Sequence, residues 1–148
     1  MWEAVMVPKD AVFKAVTRFH QVVFDVSGGK VIGTASGMPV VKLTTVGRKS
    51  GQPRSTMLTS PLVEGENVVL VASYGGDDRD PMWYSNLVVN PDVEVVMSGS
   101  HRTMSARVAE GDERTRLWET LTAKHANYAG YQRRTSRQIP VVVLEPRA

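Results

Sequence analysis

The chain has 148 residues, 42% of them hydrophobic, which is enough for one domain with a core and too few for two comfortable ones. It contains no cysteine, which excludes a disulfide framework, a thiolate nucleophile and a Cys-ligated metal site. The formal charge of +3 is spread along the chain rather than gathered into a run, so nucleic acid is not expected as a partner.

Between residues 8 and 26, Val12, Phe13, Val16, Phe19, Val23 and Val26 recur at helical spacing, with Pro8 near the first turn and Gly28-Gly29 as a stop. This predicts an amphipathic helix whose polar face carries Lys9, Lys14 and Arg18. Such a stripe more often covers a core, and peripheral contact with an anionic membrane surface is the alternative. No segment approaches the length of a membrane-spanning helix, so the expected compartment is the cytoplasm, with membrane association left open.

After the loop Gly33–Gly37, six strand-like segments follow: Val40–Val46, Ser55–Val63, Val68–Ser73, Val93–Ser98, Thr103–Ala109 and Ile139–Glu145. Glu64-Gly65-Glu66-Asn67 and Ser98-Gly99-Ser100 read as hairpin connections, which makes much of the sheet antiparallel. One helix is expected before the last strand, from Asp112-Glu113 through Leu117, Trp118 and Leu121, its acidic start suited to a helix N-terminus. A shorter helical or loop segment, Asn127 to Arg134, carries Tyr128 and Tyr131. The fold class is a β-dominated α+β barrel of about six strands: a single domain over 1–148, with residues 1–38 as N-terminal helix and loop and 39–148 as barrel.

The stretch Thr44-Thr45-Val46-Gly47-Arg48-Lys49-Ser50-Gly51-Gln52-Pro53-Arg54 crowds three cations, two glycines and small hydroxyl residues into one turn between strands. Glycines let backbone N–H groups share a concavity, Lys49 supplies a point charge, and Arg48 and Arg54 supply planar forks for phosphate or carboxylate. An anionic ligand is the inference. The order of a nucleotide-binding P-loop is absent, which removes a kinase or NTPase reading. Further on, Val71-Ala72-Ser73-Tyr74-Gly75-Gly76 ends a strand in small residues that let a flat ring approach the backbone. Then Pro81-Met82-Trp83-Tyr84-Ser85-Asn86-Leu87 opens a short helix on a proline and gathers aromatic residues.

In this order the segments resemble the deazaflavin-dependent nitroreductase family, whose members use coenzyme F420, with Asn90-Pro91 and Ile139-Pro140-Val141-Val142-Val143 as further matches. The resemblance covers about Pro39 to Pro146. It implies a split β-barrel related to FMN-binding, pyridoxamine-phosphate-oxidase-like proteins. It also implies that Arg48, Lys49, Ser50 and Arg54 hold the phosphate and acidic tail of the coenzyme. Ser55, Thr56, Met57, Leu58 and Thr59, then Val71, Ala72, Ser73 and Tyr74, then Met82, Trp83, Tyr84, Ser85 and Asn86, with Tyr128, would line the ring and ribityl chain.

The implied reaction is hydride transfer from reduced deazaflavin (F420H2) to a small electrophilic acceptor, quinone-like or nitroaromatic. Ser73, Tyr128, Tyr131 and His125 are the catalytic candidates. Family members can carry a tyrosine where His125 stands, a departure that weakens the nitroaromatic case and alters the proton donor. Two alternatives remain: a coenzyme carrier or sequestering protein without turnover, and a split-barrel protein using FMN or haem. With three histidines and no cysteine, no metal is expected, and Asp77, Asp78 and Asp80 read as a solvated turn and cap.

Overall fold

The computed structural model of the chain describes residues 34–35 and 37–147, so the expected N-terminal helix, with its membrane-surface alternative, lies outside the described residues. In chain order they form β1 (Thr34–Ala35), β2 (Met38–Val46), β3 (Pro53–Thr59), β4 (Leu62–Glu64), β5 (Asn67–Val71), a 3-10 turn (Tyr74–Gly76), α1 (Met82–Val89), β6 (Asp92–Met97), β7 (Ser100–Val108), α2 (Gly111–Lys124), α3 (Asn127–Gln132) and β8 (Val141–Pro146). The strands make one curled sheet in the order β1-β2-β6-β7-β8-β5-β4, with β3 paired to β2 off that path. Every pairing within it is antiparallel.

The β-dominated class, both hairpins and the helix before the last strand are as the sequence predicts; the strand count of about six is not. Among the described residues there are eight strands, one of them the two-residue β1. The stretch expected as one strand over Ser55–Val63 breaks in two because the buried Ser60 hydroxyl donates to the carbonyls of Leu62 (2.9 Å) and Val69 (2.7 Å), turning the chain at Ser60-Pro61. At the β6–β7 connection, Ser98 (φ 51°) and Gly99 (φ 79°) both take the left-handed backbone of a type I′ turn, whose twist matches the flanking strands.

The valine-rich β5 and β8 are buried on both faces. Their residues Val68, Leu70, Val142 and Leu144 join Val41, Leu43, Val95 and Met104 in an inner core, closed by Trp83 and Leu87 of α1. The alternate residues Val69, Val71, Val141 and Val143 meet Leu117 and Leu121 of α2, Tyr128 of α3 and Ile139 in an outer core. Continuous apolar runs, rather than strict alternation, are what such doubly covered strands require. Among the described residues no helix is long and apolar enough to cross a membrane.

The Tyr128 ring packs in this outer core, edge to face with Tyr131 at a centroid distance of 5.9 Å, its hydroxyl 3.6 Å from the Met38 sulfur. Burial pushes the Tyr128 phenol above its ordinary value of 10.0. Because the folded chain holds this proton more tightly than the unfolded one, the stability it contributes is complete below pH 10 and is lost as pH rises through the folded value. Tyr128→Phe is therefore expected to move the alkaline unfolding midpoint upward, read by circular dichroism across a pH series; an unchanged midpoint would refute it.

Candidate functional site

The β2–β3 turn is closed by two backbone bonds, Gly47 N–H to the Gln52 carbonyl and Gly51 N–H to the Gly47 carbonyl, both 2.8 Å. Gly47 keeps the turn tight, since a Cβ would stand 2.6 Å from the Ser50 hydroxyl oxygen and 3.2 Å from the Gln52 carbonyl oxygen, displacing the hydroxyl that organises the turn. That hydroxyl organises the turn from inside, accepting from the Gln52 N–H (3.2 Å) and from Arg54 Nη2 (3.4 Å).

From outside, the turn is pinned to α1 by Asn86, a 4% exposed side chain. Its Oδ1 accepts from the Arg48 backbone N–H (3.1 Å) and from Arg48 Nη1 (3.0 Å), while its Nδ2 donates to the Thr45 hydroxyl (3.2 Å). Arg48 is thereby oriented by a neutral partner and keeps its charge uncancelled. Among the described residues, none of Arg48, Lys49 and Arg54 is ion-paired with a carboxylate. Asn86→Ala removes three hydrogen bonds made by a buried side chain and leaves the part-buried Arg48 N–H and the buried Thr45 hydroxyl short of a partner, a loss of about 1–3 kcal/mol for an unsatisfied group. A loss of about 2 kcal/mol is expected in urea unfolding, and a loss below experimental error would remove Asn86 as the pin.

Beside the turn opens a cleft of about 700 Å³, within the usual range for small-ligand sites. The β2–β3 hairpin contributes Thr45, Gly47, Arg48, Lys49, Ser50, Arg54, Ser55, Thr56 and Leu58; the chain from β5 into α1 contributes Val71, Ser73, Tyr74, Gly75, Pro81, Met82, Trp83 and Asn86. Cations and hydroxyls thus come from the hairpin and apolar or aromatic groups largely from the second stretch. Met82 and Tyr74 are well exposed, at 70% and 54%, and Trp83 is buried, joining the cleft to the inner core. Ser73, a buried lining residue, is the N-cap of the 3-10 turn, and its side chain makes no capping hydrogen bond there.

The structure therefore brings Arg48, Lys49, Ser50, Arg54, Ser55, Thr56, Leu58, Val71, Ser73, Tyr74, Met82, Trp83 and Asn86 together around one cleft. Met57, Thr59, Ala72, Tyr84, Ser85, Tyr128, Tyr131 and His125 do not line it. Met57 and Thr59 alternate with the cleft-facing Leu58 along β3, as the two-residue period of a strand dictates. Ala72 is fully buried in the inner core and Tyr84 packs against that core, with its phenol pushed up by burial. Tyr128 belongs to the outer core, and His125 terminates α2 with its N–H on the Leu121 carbonyl.

Sequence reasoning placed Thr45, Gly47, Gly75 and Pro81 inside the binding segments but did not single them out as lining residues, which they are. It also missed how the 72–80 segment is tethered. Its carboxylates do form an exposed turn, with Asp77 capping the Arg79 backbone N–H (2.8 Å) and pairing with the Arg79 guanidinium (3.1 Å), but that turn is tied to a distant stretch: Asp78 accepts from the Thr135 hydroxyl (2.8 Å) and Asp80 from Arg137 Nη1 (3.1 Å). The Arg79 guanidinium holds the Asp77 carboxyl down at about 2. No local pattern sets Arg137 apart from Arg133 and Arg134, so only the folded chain reveals it.

A family model described as F420H(2)-dependent quinone reductase matches residues 16–146. An F420H(2)-dependent quinone reductase of Mycobacterium tuberculosis is 40% identical over 134 residues, spanning 88% of this chain and 89% of that protein. A solved F420H2-dependent reductase superposes with a TM-score of 0.65 at 39% identity, over 72% of this chain and 94% of its own. A Clostridium acetobutylicum protein of the pyridoxinephosphate oxidase family has a TM-score of 0.54 at 10% identity, over 84% of each chain, a likeness in fold alone.

Proposed function

The chain belongs to the F420H2-dependent quinone reductase family, and from that premise we propose that its cleft is where reduced F420 is held and a quinone-type acceptor is reduced. It is an F420H2-dependent oxidoreductase, with quinone reductase, rather than nitroreductase, as the family designation. One observation carries the assignment of the cleft: three cations without carboxylate partners among the described residues stand on a turn that borders a largely apolar cavity. That donor set fits a molecule with a flat ring at one end and anionic groups at the other.

In this reading Arg48, Lys49 and Arg54 bind the phosphate and acidic tail through charge-assisted hydrogen bonds, which are roughly twice as strong as neutral ones. Ser50, Ser55 and Thr56 add hydroxyl donors. Leu58, Val71 and Trp83 exclude water from the ring region, and Met82 and Tyr74 flank the exposed side where an acceptor enters. When bound, the coenzyme supplies a hydride as an obligate two-electron carrier. The chain's own task is to orient and to dry the site, because positioning alone contributes on the order of 7–11 kcal/mol. Ser73 is the residue proposed to donate a hydrogen bond to the acceptor oxygen. Tyr128 and Tyr131 act at a remove, backing the 72–80 segment from the outer core, where the Tyr131 carbonyl lies against Gly76, and His125 caps the end of α2. Residues 39–148 serve as one coenzyme-binding unit.

Titrating the full chain side by side with F420, FMN and haem tests the cofactor, with F420 expected to bind preferentially; preference for FMN would overturn the reading. Following F420H2 absorbance on addition of a quinone tests turnover. Acceptor-dependent oxidation is expected, and tight binding without oxidation above background would identify a carrier instead.

A further inference from the structure

The segment that brings Ser73 and Tyr74 to the cleft lies outside the sheet, since β5 ends at Val71. Its backbone is also unfavourable on its own: Tyr74 (φ 46°) and Gly75 (φ 65°) are both left-handed, and for a tyrosine such a conformation persists only where its surroundings over-determine it. Those surroundings are supplied by the stretch between α3 and β8. Arg137, whose side chain is 16% exposed, reaches four acceptors about 60 residues away in sequence. Its Nη2 donates to the carbonyls of Ser73 (2.9 Å) and Ala72 (3.2 Å), its Nε to the Asp77 carbonyl (2.9 Å), and its Nη1 to the Asp80 carboxylate (3.1 Å). Arg134 Nη1 adds a bond to the Gly75 carbonyl (3.3 Å).

We propose that Arg137 is a positioning residue for quinone reduction: it touches neither coenzyme nor acceptor, but it sets where Ser73 and Tyr74 stand at the cleft. The inference rests on the cleft being the coenzyme site. The planar fork matters, because its donors diverge to both ends of one loop, whereas a lysine presents all its donors from a single nitrogen. The tail cradle on the β2–β3 turn shares no hydrogen bond with Arg137, so coenzyme affinity and acceptor turnover should separate.

The test uses Arg137→Ala and Arg137→Lys in the full chain. In the coenzyme-free protein, hydrogen exchange at the Gly76, Asp77 and Arg79 amides is expected to speed up in Arg137→Ala while the β2–β3 amides hold their protection. With coenzyme, kcat at saturating quinone should fall by about 100-fold, the order that a misplacement near 1 Å produces, while the F420 Kd stays at the wild-type value. Arg137→Lys, which retains the charge and the stem, should fold as the wild type does and give an intermediate kcat. Unchanged kcat in both variants overturns the proposal, as does accelerated exchange throughout the sheet with Kd and kcat failing together. Failure of the wild-type chain to bind F420 would instead sink the cleft assignment, and the exchange data alone would then decide whether Arg137 holds the loop.

Discussion

Replacing Lys49 and Arg54 together with alanine is expected to weaken F420 binding by about 100-fold, the low end for losing two hydrogen bonds to charged groups at about 1.5–3 kcal/mol each. The low end applies because both side chains stand on an exposed turn, where solvent screens them. Salt provides a second reading of the same contacts. Wild-type affinity should fall as ionic strength rises and the Debye length shrinks below about 10 Å, and the double variant should respond less steeply. Fluorescence titration at two salt concentrations checks both, and an unchanged Kd with an unchanged salt slope would move the acidic tail away from this turn. Folding should be nearly indifferent to the change, since among the described residues the Arg54 side chain makes a single long bond, to Ser50, and Lys49 is not ion-paired with a carboxylate.

Gly76→Ala is expected to be the most destabilising small substitution in the cleft's surroundings, at about 3 kcal/mol, combining a left-handed backbone penalty of roughly 1–2 kcal/mol with overpacking of about 1–3 kcal/mol. At φ 85°, a Cβ here would lie 2.8 Å from the Tyr131 carbonyl oxygen and 2.9 Å from Arg134 Cβ, so the loop and the α3 segment cannot both stay in place. Gly65→Ala separates the two terms, because Gly65 has φ 61° with nothing within 4 Å of its added Cβ. Thermal and urea unfolding of both variants should rank Gly76→Ala clearly worse. Equal losses would mean that backbone strain acts alone and that the contact with Tyr131 is not constraining.

The parts of the site that depend on residue type at short range were legible in the sequence. Gly47, Ser50 and Gly51 enforce the cradle turn locally, and the three cations announce their chemistry wherever the turn points. The order of motifs was sufficient for the family because each motif maps onto one element: hairpin turn, strand end and short helix. Side-chain direction was not legible. Helical spacing correctly put Tyr128 and Tyr131 in contact, yet whether the pair faces the cleft or the outer core is decided by Leu117, Leu121 and Ile139, distant in sequence. Arg137 was invisible for the same reason: three of its four acceptors are backbone carbonyl oxygens, which every residue possesses, and the fourth, the Asp80 carboxylate, is distant in sequence. The break at Ser60 escaped notice because a serine within a β-branched run looks like any solvent-facing strand position.

The close fit of Gly76 against Tyr131 also governs how this protein can be recombined with its relatives. A graft that transplants the 73–80 loop alone would deliver carbonyls oriented for a guanidinium that the host need not possess, and a glycine shaped to a foreign backbone. A graft that carries residues 131–137 with it would bring both halves of the joint. The two stretches, distant in sequence, form a single heritable module, and chimaeras designed to exchange acceptor preference should cut around both or neither.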